Sequence, residues 1–189
     1  MAYTQVQICN LALRRMSSSA NIQSIDEASQ EAYNCNEFYE PSLRAALAAF
    51  PWDFAREIAT LALLAETPAD YEYAYSLPSG CVRPLYILPE QDPAIKFSIR
   101  GQTVYTDEED AVLAYTQYVD VAAYYPDNFV EAFTYRLASD LAMPLKSDME
   151  LQSRMMQMAE RAVATAKTSD ARQGKRQSSR YSDIVNARA

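Results

Sequence analysis

Apolar residues at helical spacing mark the first fifty positions of the chain. A stripe that follows Thr4, a typical N-cap residue, predicts a first helix over residues 4–16. Its members are Val6, Cys9, Leu13 and Met16. A longer stripe predicts a second helix, which Pro51 ends. Its members are Ala28, Ala32, Cys35, Tyr39, Leu43, Ala46, Leu47 and Phe50.

Three residues in and after this second helix are candidate structural anchors: Pro41, Trp52 and Phe54. Pro41 lies inside the apolar stripe, and because proline removes a helical hydrogen bond we expect a kink or a break into two helices there. Trp52, the only tryptophan, is either an interface anchor or a core residue where helix meets sheet. The core alternative is favoured because tryptophan is highly buried on average.

Between about residues 56 and 120 the hydrophobic pattern becomes that of β-strands. Ile58–Leu64 is a continuous apolar run of strand length, and residues 71–77 alternate strictly between two faces. Further strand patterns cover Val82–Leu88, Ile95–Ile99 and Val112–Val119. Gly101-Gln102 is a two-residue turn signal, which predicts a hairpin. The middle third is therefore predicted to be a small antiparallel β insertion.

The helical pattern returns after this insertion. Pro126 and the polar residues behind it start a helix, which Pro144 is expected to stop. Ser147-Asp148-Met149-Glu150 matches the S-x-x-E capping box, so Ser147 is the predicted N-cap of a last helix. Apolar residues carry that helix as far as Ala166.

These elements predict an α+β fold with three parts. Helices within residues 4–50 and 126–166 form a helical bundle, and the segment from about 56 to 120 is an inserted small antiparallel β domain. Together they make a body over residues 1–166. Residues 167–189 form an extended C-terminal arm.

Charge separates the arm from the body. The arm, Lys167–Ala189, holds six basic and two acidic residues, a net charge of +4. Because the whole chain carries −8, residues 1–166 carry −12. The arm is otherwise polar and has too little apolar area to form a core of its own. A basic, polar extension on an acidic body is typical of a segment that holds a partner.

Composition narrows the chemistry that this chain can perform. It has no histidine, which excludes Ser-His and Cys-His dyads and histidine-liganded metals. Three glycines in separate places cannot build a phosphate-binding loop. Cys9, Cys35 and Cys81 are far apart and are interpreted as buried thiols, without a disulfide framework or zinc site. We therefore predict no cofactor and no metal.

No targeting or membrane signal is recognisable. No apolar run approaches the roughly 20 residues that span a bilayer. The first residues lack the basic and apolar regions of a signal peptide. We expect a protein without a membrane partner, made in a reducing cytosol.

Carboxylates are the remaining candidates for chemistry. Four consecutive ones could bind a hard cation, but they lack the spaced ligands and glycine of a calcium loop, which favours a solvated acidic turn. They are Asp107, Glu108, Glu109 and Asp110. These four, or Glu37 with Glu40, could also be offered as a glycosidase pair. Such a pair needs one raised pKa and a set separation, and the sequence indicates neither.

Aromatic and methionine clusters have two interpretations each. Seven tyrosines could form a base-stacking sheet, but acidic neighbours favour cross-strand pairs and subunit contacts. They are Tyr71, Tyr73, Tyr75, Tyr86, Tyr105, Tyr115 and Tyr118. Four methionines on the last helix suit helix packing or an adaptable subunit contact. They are Met149, Met155, Met156 and Met158.

The order of several short motifs is more specific than any one of them. Together they resemble the head-to-tail adaptor family of short-tailed phages, of the tail tubular protein A type, over nearly the whole chain. The motifs are Asn10-Leu11-Ala12-Leu13, Ile25, Glu31-Ala32, Cys35, Tyr39-x-Pro41-x-x-Arg44, Pro51-Trp52-x-Phe54-Ala55, Leu61-Ala62-Leu63-Leu64, Tyr73-x-Tyr75-x-Leu77-Pro78, Cys81-x-Arg83, Pro126, Phe129, Glu131-Ala132, Arg136-Leu137-Ala138 and Asp170-Ala171-Arg172-Gln173. Ser17 departs from the glycine that often ends the first helix in related chains.

The resemblance implies a virion protein without enzymatic activity at the head-tail interface. Family members form dodecameric rings beneath the portal protein, receive the tail nozzle protein below and line part of the DNA channel. Their C-terminal extension docks on the portal, which makes the basic arm the candidate portal-binding segment. Its candidate residues are Lys167, Arg172, Gln173, Lys175, Arg176, Arg180 and Arg188.

Double-stranded DNA is expected to pass through such a ring without specific binding. An acidic wall repels phosphate and avoids salt-sensitive drag, so the Asp107–Asp110 turn is a candidate for the lumen. One alternative function is a nucleic-acid-binding module that acts through the basic arm, against which the charge of the body argues. A carboxylate-based cell-wall hydrolase is a further alternative, and the lack of a defined acid pair argues against it.

Overall fold

A computed structural model of the chain describes residues 2–65, 68–91 and 93–186, with side chains as far as Thr168. Four helices and two antiparallel sheets give an α+β fold, which confirms the predicted class. The chain divides into two compact units. The helical unit comprises the residues up to Ala46 and from Ala122 onward, and the β unit is Leu47–Val121.

The helices and strands follow the predicted order along the chain. The helices are α1 (Gln5–Arg15), α2 (Gln30–Ala49), α3 (Asp127–Lys146) and α4 (Met149–Asn186). The strands are β1 (Arg56–Thr60), β2 (Ala62–Leu63), β3 (Tyr73–Ser76), β4 (Cys81–Leu88), β5 (Phe97–Arg100), β6 (Thr103–Thr106) and β7 (Val112–Gln117). Two 3₁₀ turns cover Asp53–Ala55 and Ala122–Tyr124.

The start of α1 is held by the predicted cap. Thr4 Oγ1 accepts a hydrogen bond from the Gln7 backbone N–H at 3.2 Å, and Gln7 Oε1 accepts one from the Thr4 N–H at 2.9 Å. This reciprocal pair satisfies two backbone donors that the first helical turn leaves without partners. The prediction of Thr4 as N-cap is therefore confirmed.

Pro41 does not divide the second helix. α2 is one helix from Gln30 to Ala49, so the break into two helices, one of the two alternatives predicted at Pro41, does not occur. Pro41 is exposed, so water can reach the carbonyl that its ring deprives of a partner. The interruption is thereby tolerated within a helix that buries its other face.

The junction between α3 and α4 differs from the prediction by one or two residues. α3 continues through Pro144 to Lys146, so the predicted stop at Pro144 is wrong. It ends at Ser147, which adopts a left-handed conformation (φ 51°) and donates its N–H to the Met143 carbonyl at 2.9 Å. Since Ser147 is used in this way, the N-cap of α4 is Asp148 rather than Ser147. Asp148 Oδ1 accepts from the Leu151 N–H at 2.8 Å.

Aromatic rings form the centre of the helical unit. Phe133 of α3 lies at its middle, with its ring centroid 5.1 Å from that of Tyr39, 5.8 Å from Phe129 and 6.2 Å from Tyr125. Most of these pairs meet edge to face, the arrangement that ring quadrupoles favour. All four residues are buried, so α2 and α3 share one aromatic core.

Polar contacts fix the register of the same helices. Ser42 of α2 donates its hydroxyl to Asp140 Oδ2 at 2.6 Å, and Arg136 Nε donates to the same oxygen at 3.1 Å. Ser139 Oγ donates to the Gln152 carbonyl of α4 at 3.0 Å. Because Ser42 and Ser139 are fully buried, each contact satisfies a hydroxyl that could not reach water.

The three cysteines are free thiols. Cys9 and Cys35 are fully buried, and Cys81 is half-buried. A hydrogen bond that the Cys9 thiol donates to Cys35, together with burial, raises the pKa of Cys9. Burial also raises the pKa of Cys81. Cys9 and Cys81 therefore disfavour the reactive thiolate.

The β unit consists of two antiparallel sheets. One has the order β1-β7-β4 and the other β2-β3-β6-β5. The run Ile58–Leu64, predicted as one strand, is divided at Leu61 between the first sheet and the second. Leu61, Tyr75 and Leu113 belong to one buried cluster to which both sheets contribute. The predicted hairpin at Gly101-Gln102 connects β5 and β6, with Gly101 at φ +62°.

Candidate functional site

Helix α4 has buried side chains along one face up to Ala166, and the two described residues after it are exposed. Up to that residue one face is buried, and its members are Leu151, Met155, Ala159, Ala162 and Ala166. Lys167 and Thr168 are exposed, while the helix continues to Asn186. At 1.5 Å per residue its 38 residues extend over roughly 57 Å. The predicted boundary between body and arm therefore lies inside one helix, directly after Ala166, the last buried residue among the described side chains of α4.

Most of the candidate portal-binding residues fall on the continuation of α4. The Lys167 side chain is exposed at its start. Five others occupy positions of the α4 backbone, and their side chains lie outside the described residues. They are Arg172, Gln173, Lys175, Arg176 and Arg180. Arg188 lies outside the described residues altogether.

The acidic turn Asp107–Asp110 connects β6 to β7 and is held by three hydrogen bonds. Asp107 Oδ1 accepts from the Glu72 N–H at 3.0 Å, and Thr106 Oγ1 accepts from the Glu108 N–H at 3.3 Å. Tyr75 donates its hydroxyl to the Glu108 carbonyl at 2.9 Å. Asp110 adopts a left-handed conformation (φ 53°), which completes the turn. The exposed carboxylates of the turn therefore project from a fixed backbone.

The negative charge of the turn acts on the neighbouring Tyr73 hydroxyl. Glu109, ahead of partial burial and the charge on Glu72, raises the pKa of Tyr73. Within the described parts of the chain, no group of three or more potential ligands could hold a metal ion. The turn therefore fits the interpretation of a solvated acidic surface better than that of a cation site.

Three of the seven clustered tyrosines are buried in the β unit. Tyr75 is 2% exposed, and Tyr105 and Tyr115 are also buried. Tyr71 stacks on Tyr105 with ring centroids 6.5 Å apart, and Arg100, ion-paired with Asp70, lies over the Tyr105 ring. These three buried rings offer no open face to a nucleobase, whereas Tyr71, Tyr73, Tyr86 and Tyr118 are half-buried.

The three predicted anchors have different environments. Trp52 is 2% exposed and meets Phe50 edge to face, with ring centroids 5.1 Å apart. This burial favours the core interpretation of Trp52 over the interface anchor. Phe54 is half-buried, whereas Pro41 is exposed. Trp52 thus has the surroundings of a core residue, and Pro41 does not.

The other candidate carboxylates lie on a solvent-exposed helical face. Glu37 and Glu40 are both exposed on α2, and Glu40 Oε1 accepts from Arg44 at 2.9 Å. An exposed, ion-paired carboxylate lacks the apolar surroundings that raise the pKa of a catalytic acid. This arrangement gives no support to the glycosidase pair.

The methionines of α4 divide between packing and solvent. Met155 is buried, Met156 Sδ lies 3.9 Å from Arg136 Nη1, and Met158 is half-buried. These positions fit the helix-packing interpretation. Met149 is 74% exposed, so it alone retains the character of a contact surface.

A pocket that the sequence pattern did not predict lies beside α1. It has a volume of about 360 Å³, and its lining residues are Ala2, Tyr3, Gln7, Asn10, Leu11 and Arg14. The recurrence of Tyr3, Gln7, Asn10 and Arg14 at helical spacing was a signal that could have found it. Asn10 exchanges two hydrogen bonds with the Ile22 backbone at 2.9 Å, and Tyr3 donates to Asp127 at 2.9 Å. Its polar groups therefore serve mainly to hold the helical unit together.

Similarity searches do not assign the chain to a family. No protein-family model matches the sequence, and no curated protein matches it. Across the described residues, the helices are too short or too polar for any of them to cross a lipid bilayer. The candidate site is therefore defined by geometry and charge, namely the continuation of α4 and the acidic turn.

Proposed function

We propose that this chain is a structural virion protein, a head-to-tail adaptor that joins the portal to the tail. In this proposal it assembles as a ring, expected to be dodecameric, around the DNA channel. The basic continuation of α4 docks on the portal protein, and the opposite side of the ring receives the tail nozzle protein. The protein acts through interfaces and performs no catalysis.

The observation that carries the proposal is that Ala166 is the last buried residue among the described side chains of a helix whose backbone continues to Asn186. Residues after Ala166 belong to a segment with a net charge of +4, on a chain whose other residues carry −12. The sequence of this segment is polar and offers little apolar area to bury, and such a helix gains little stability by itself, so a partner surface would supply stabilising contacts. Twelve such helices on one ring would bind with high avidity even if each contact were weak.

The acidic turn supports the second part of the proposal. Asp107, Glu109 and Asp110 are exposed and are held on a fixed backbone. Repeated around a ring, these carboxylates would give a surface that repels phosphate and lets DNA pass over water and counterions. We propose that they face the lumen.

The test is binding to the portal by full-length and truncated protein. A chain ending at Ala166 keeps every core residue named above and should fold, with unchanged circular dichroism, yet lose portal binding. In the full-length chain, Arg172→Glu, Lys175→Glu, Arg176→Glu and Arg180→Glu combined should have the same effect on binding. The control, with three charge reversals against four, is Lys96→Glu with Lys146→Glu and Arg154→Glu at exposed cations outside the arm.

Two other outcomes of this experiment would contradict the proposal. Full-affinity binding by the truncated chain would contradict the assignment of the arm. Binding of DNA by the full-length chain, lost on truncation and falling steeply with salt while the portal is ignored, would support the nucleic-acid module instead. Electron micrographs of the mixture should show a ring on the portal.

A further inference from the structure

The four-stranded sheet β2-β3-β6-β5 carries one apolar row across all of its strands. Leu63 of β2 pairs with Tyr75 of β3, Tyr75 with Val104 of β6, and Val104 with Ile99 of β5. Residues paired in this way lie on the same face of a sheet. The row begins and ends on the two outermost strands, β2 and β5.

Burial along this row is uneven. Tyr75 is 2% exposed and Val104 is fully buried, whereas Leu63 is 63% exposed and Ile99 is half-buried. Leu63 is open because no further strand of the described chain lies beyond β2. One more strand at this edge would cover Leu63 and give the row a fifth member.

Strand direction determines which strand can be added. All neighbours in this sheet are antiparallel, and the sheet has four strands, so β2 and β5 run in opposite directions. When copies follow one another in the same orientation, as in a ring, β5 of one copy therefore meets β2 of the next in antiparallel fashion. Such a head-to-tail contact joins two different surfaces, which a closed ring requires.

The three-stranded sheet β1-β7-β4 lacks this property. With three antiparallel strands, β1 and β4 run in the same direction, and copies added in one orientation would meet as parallel strands. β4 also contains Pro84 and two register shifts, which are features that protect an edge from pairing. The four-stranded sheet is therefore the one suited to head-to-tail addition.

We propose that β5 of one copy adds to β2 of the next copy, so that the sheet continues from subunit to subunit with Ile99 beside Leu63. This inference rests on the ring of the proposed function and names the surface that builds it. β2 has only two residues, so each strand contact is short. Closure of the ring compensates, because every copy is held on both sides.

Cross-linking between two populations tests this pairing. Copies with Leu63→Cys are mixed with copies carrying Ile99→Cys. Both also carry Cys81→Ser, which removes the half-buried native thiol, whereas Cys9 and Cys35 are fully buried and can stay. Within one chain the two positions lie three strand spacings apart, about 14 Å, beyond the roughly 7 Å that a disulfide spans. A disulfide between them must therefore join two copies.

The control population carries Ile58→Cys, which is 55% exposed on the edge of the other sheet. Mild oxidation should give about tenfold more cross-linked dimer from the 63–99 mixture than from the 58–99 mixture. Equal yields would overturn the inference.

As a second test, Leu63→Lys should leave the circular dichroism unchanged and abolish rings in electron micrographs, whereas Ile58→Lys should leave the rings intact. Rings formed by Leu63→Lys would also overturn it.

Failure of the inference and failure of the proposed function are distinguishable. Rings on the portal without the 63–99 cross-link would remove the strand pairing and leave the adaptor assignment intact. Cross-linking at these positions with no affinity for the portal would support the pairing and remove the adaptor. Neither rings nor cross-links would reject both.

Discussion

The helical unit and the β unit bury their apolar residues to different degrees. In the helical unit, Phe129 and Phe133 are fully enclosed, and the exposed apolar side chains are scattered. In the β unit, Ile58 and Leu63, both more than half exposed, lie on consecutive outer strands. β1 and β2 form the edges of two different sheets.

This difference separates residues that hold a fold from residues that remain available to a partner. The helical unit closes its core with rings and buried hydroxyl contacts. The β unit closes its centre but leaves β1 and β2, the outer strands of its two sheets, each with a neighbouring strand on one side only in the described chain. Open edges attract further strands, and natural proteins usually protect them unless they are used. Substitutions at buried positions should therefore destabilise the fold, and substitutions at exposed edge positions should not.

The largest effect is expected in the aromatic core. Phe133→Ala should destabilise the protein by about 3–5 kcal/mol, because it removes the ring that contacts Tyr39, Tyr125 and Phe129. Tyr33→Ala, at a side chain 70% exposed, should cost less than about 0.5 kcal/mol. Urea denaturation followed by circular dichroism measures both. Similar values for the two variants would contradict the packing described here.

The same substitution at two positions tests the β unit. Leu113→Ala, at a fully buried residue, should cost about 2–5 kcal/mol. Leu63→Ala should cost less than about 0.5 kcal/mol in the unassembled protein, because Leu63 is 63% exposed. Both free energies come from urea denaturation at low protein concentration. A large loss at Leu63 would mean that the edge already belongs to the core.

A smaller effect is expected at the start of α4. Asp148→Ala should cost about 1 kcal/mol, because it removes the acceptor for the Leu151 N–H. Ser147→Ala should change stability by less than about 0.5 kcal/mol, since the Ser147 side chain is not the cap. Thermal unfolding of the two variants separates them. The reverse order would restore Ser147 as the N-cap that the sequence pattern predicts.

The smallest effect is a titration shift beside the acidic turn. Glu109→Gln should lower the pKa of Tyr73 toward its ordinary value, because Glu109 is the main cause of its rise. Glu108→Gln is the matched control and should have little effect. A tyrosine whose pKa is raised in the folded protein stabilises it below the pKa of the unfolded chain. That contribution is lost as the pH rises through the folded value. NMR titration of labelled tyrosine, with Tyr73→Phe for assignment, measures the shift.

Local signals predicted much of this fold. Thr4 with Gln7 marked a helix start, and Gly101-Gln102 marked a hairpin, because each depends on contacts within a few residues. The end of the apolar stripe at Ala166 was visible in the sequence for the same reason. The charge difference between arm and body is a property of composition and needs no structure.

The errors have a common physical cause, which is competition between neighbouring signals or distant contacts. Ser147 could cap the next helix or end the previous one, and only the folded backbone decides between them. Leu61 lies in an uninterrupted apolar run, yet the strand changes sheet there because β3 and β7 pair with different parts of it. The pocket beside α1 likewise depends on how Asn10 and Tyr3 reach residues distant in sequence.

The continuity of α4 has a consequence for how this chain can vary. Each residue of an α-helix turns the following one by about 100°, so one residue inserted at Ala166 rotates every later position by that angle. An insertion of seven residues completes almost two turns and nearly restores the original orientation. A change in the length of this helix therefore also rotates the residues after the change about the helix axis. Length changes close to a whole number of turns preserve the orientation of the later positions, and other length changes rotate them.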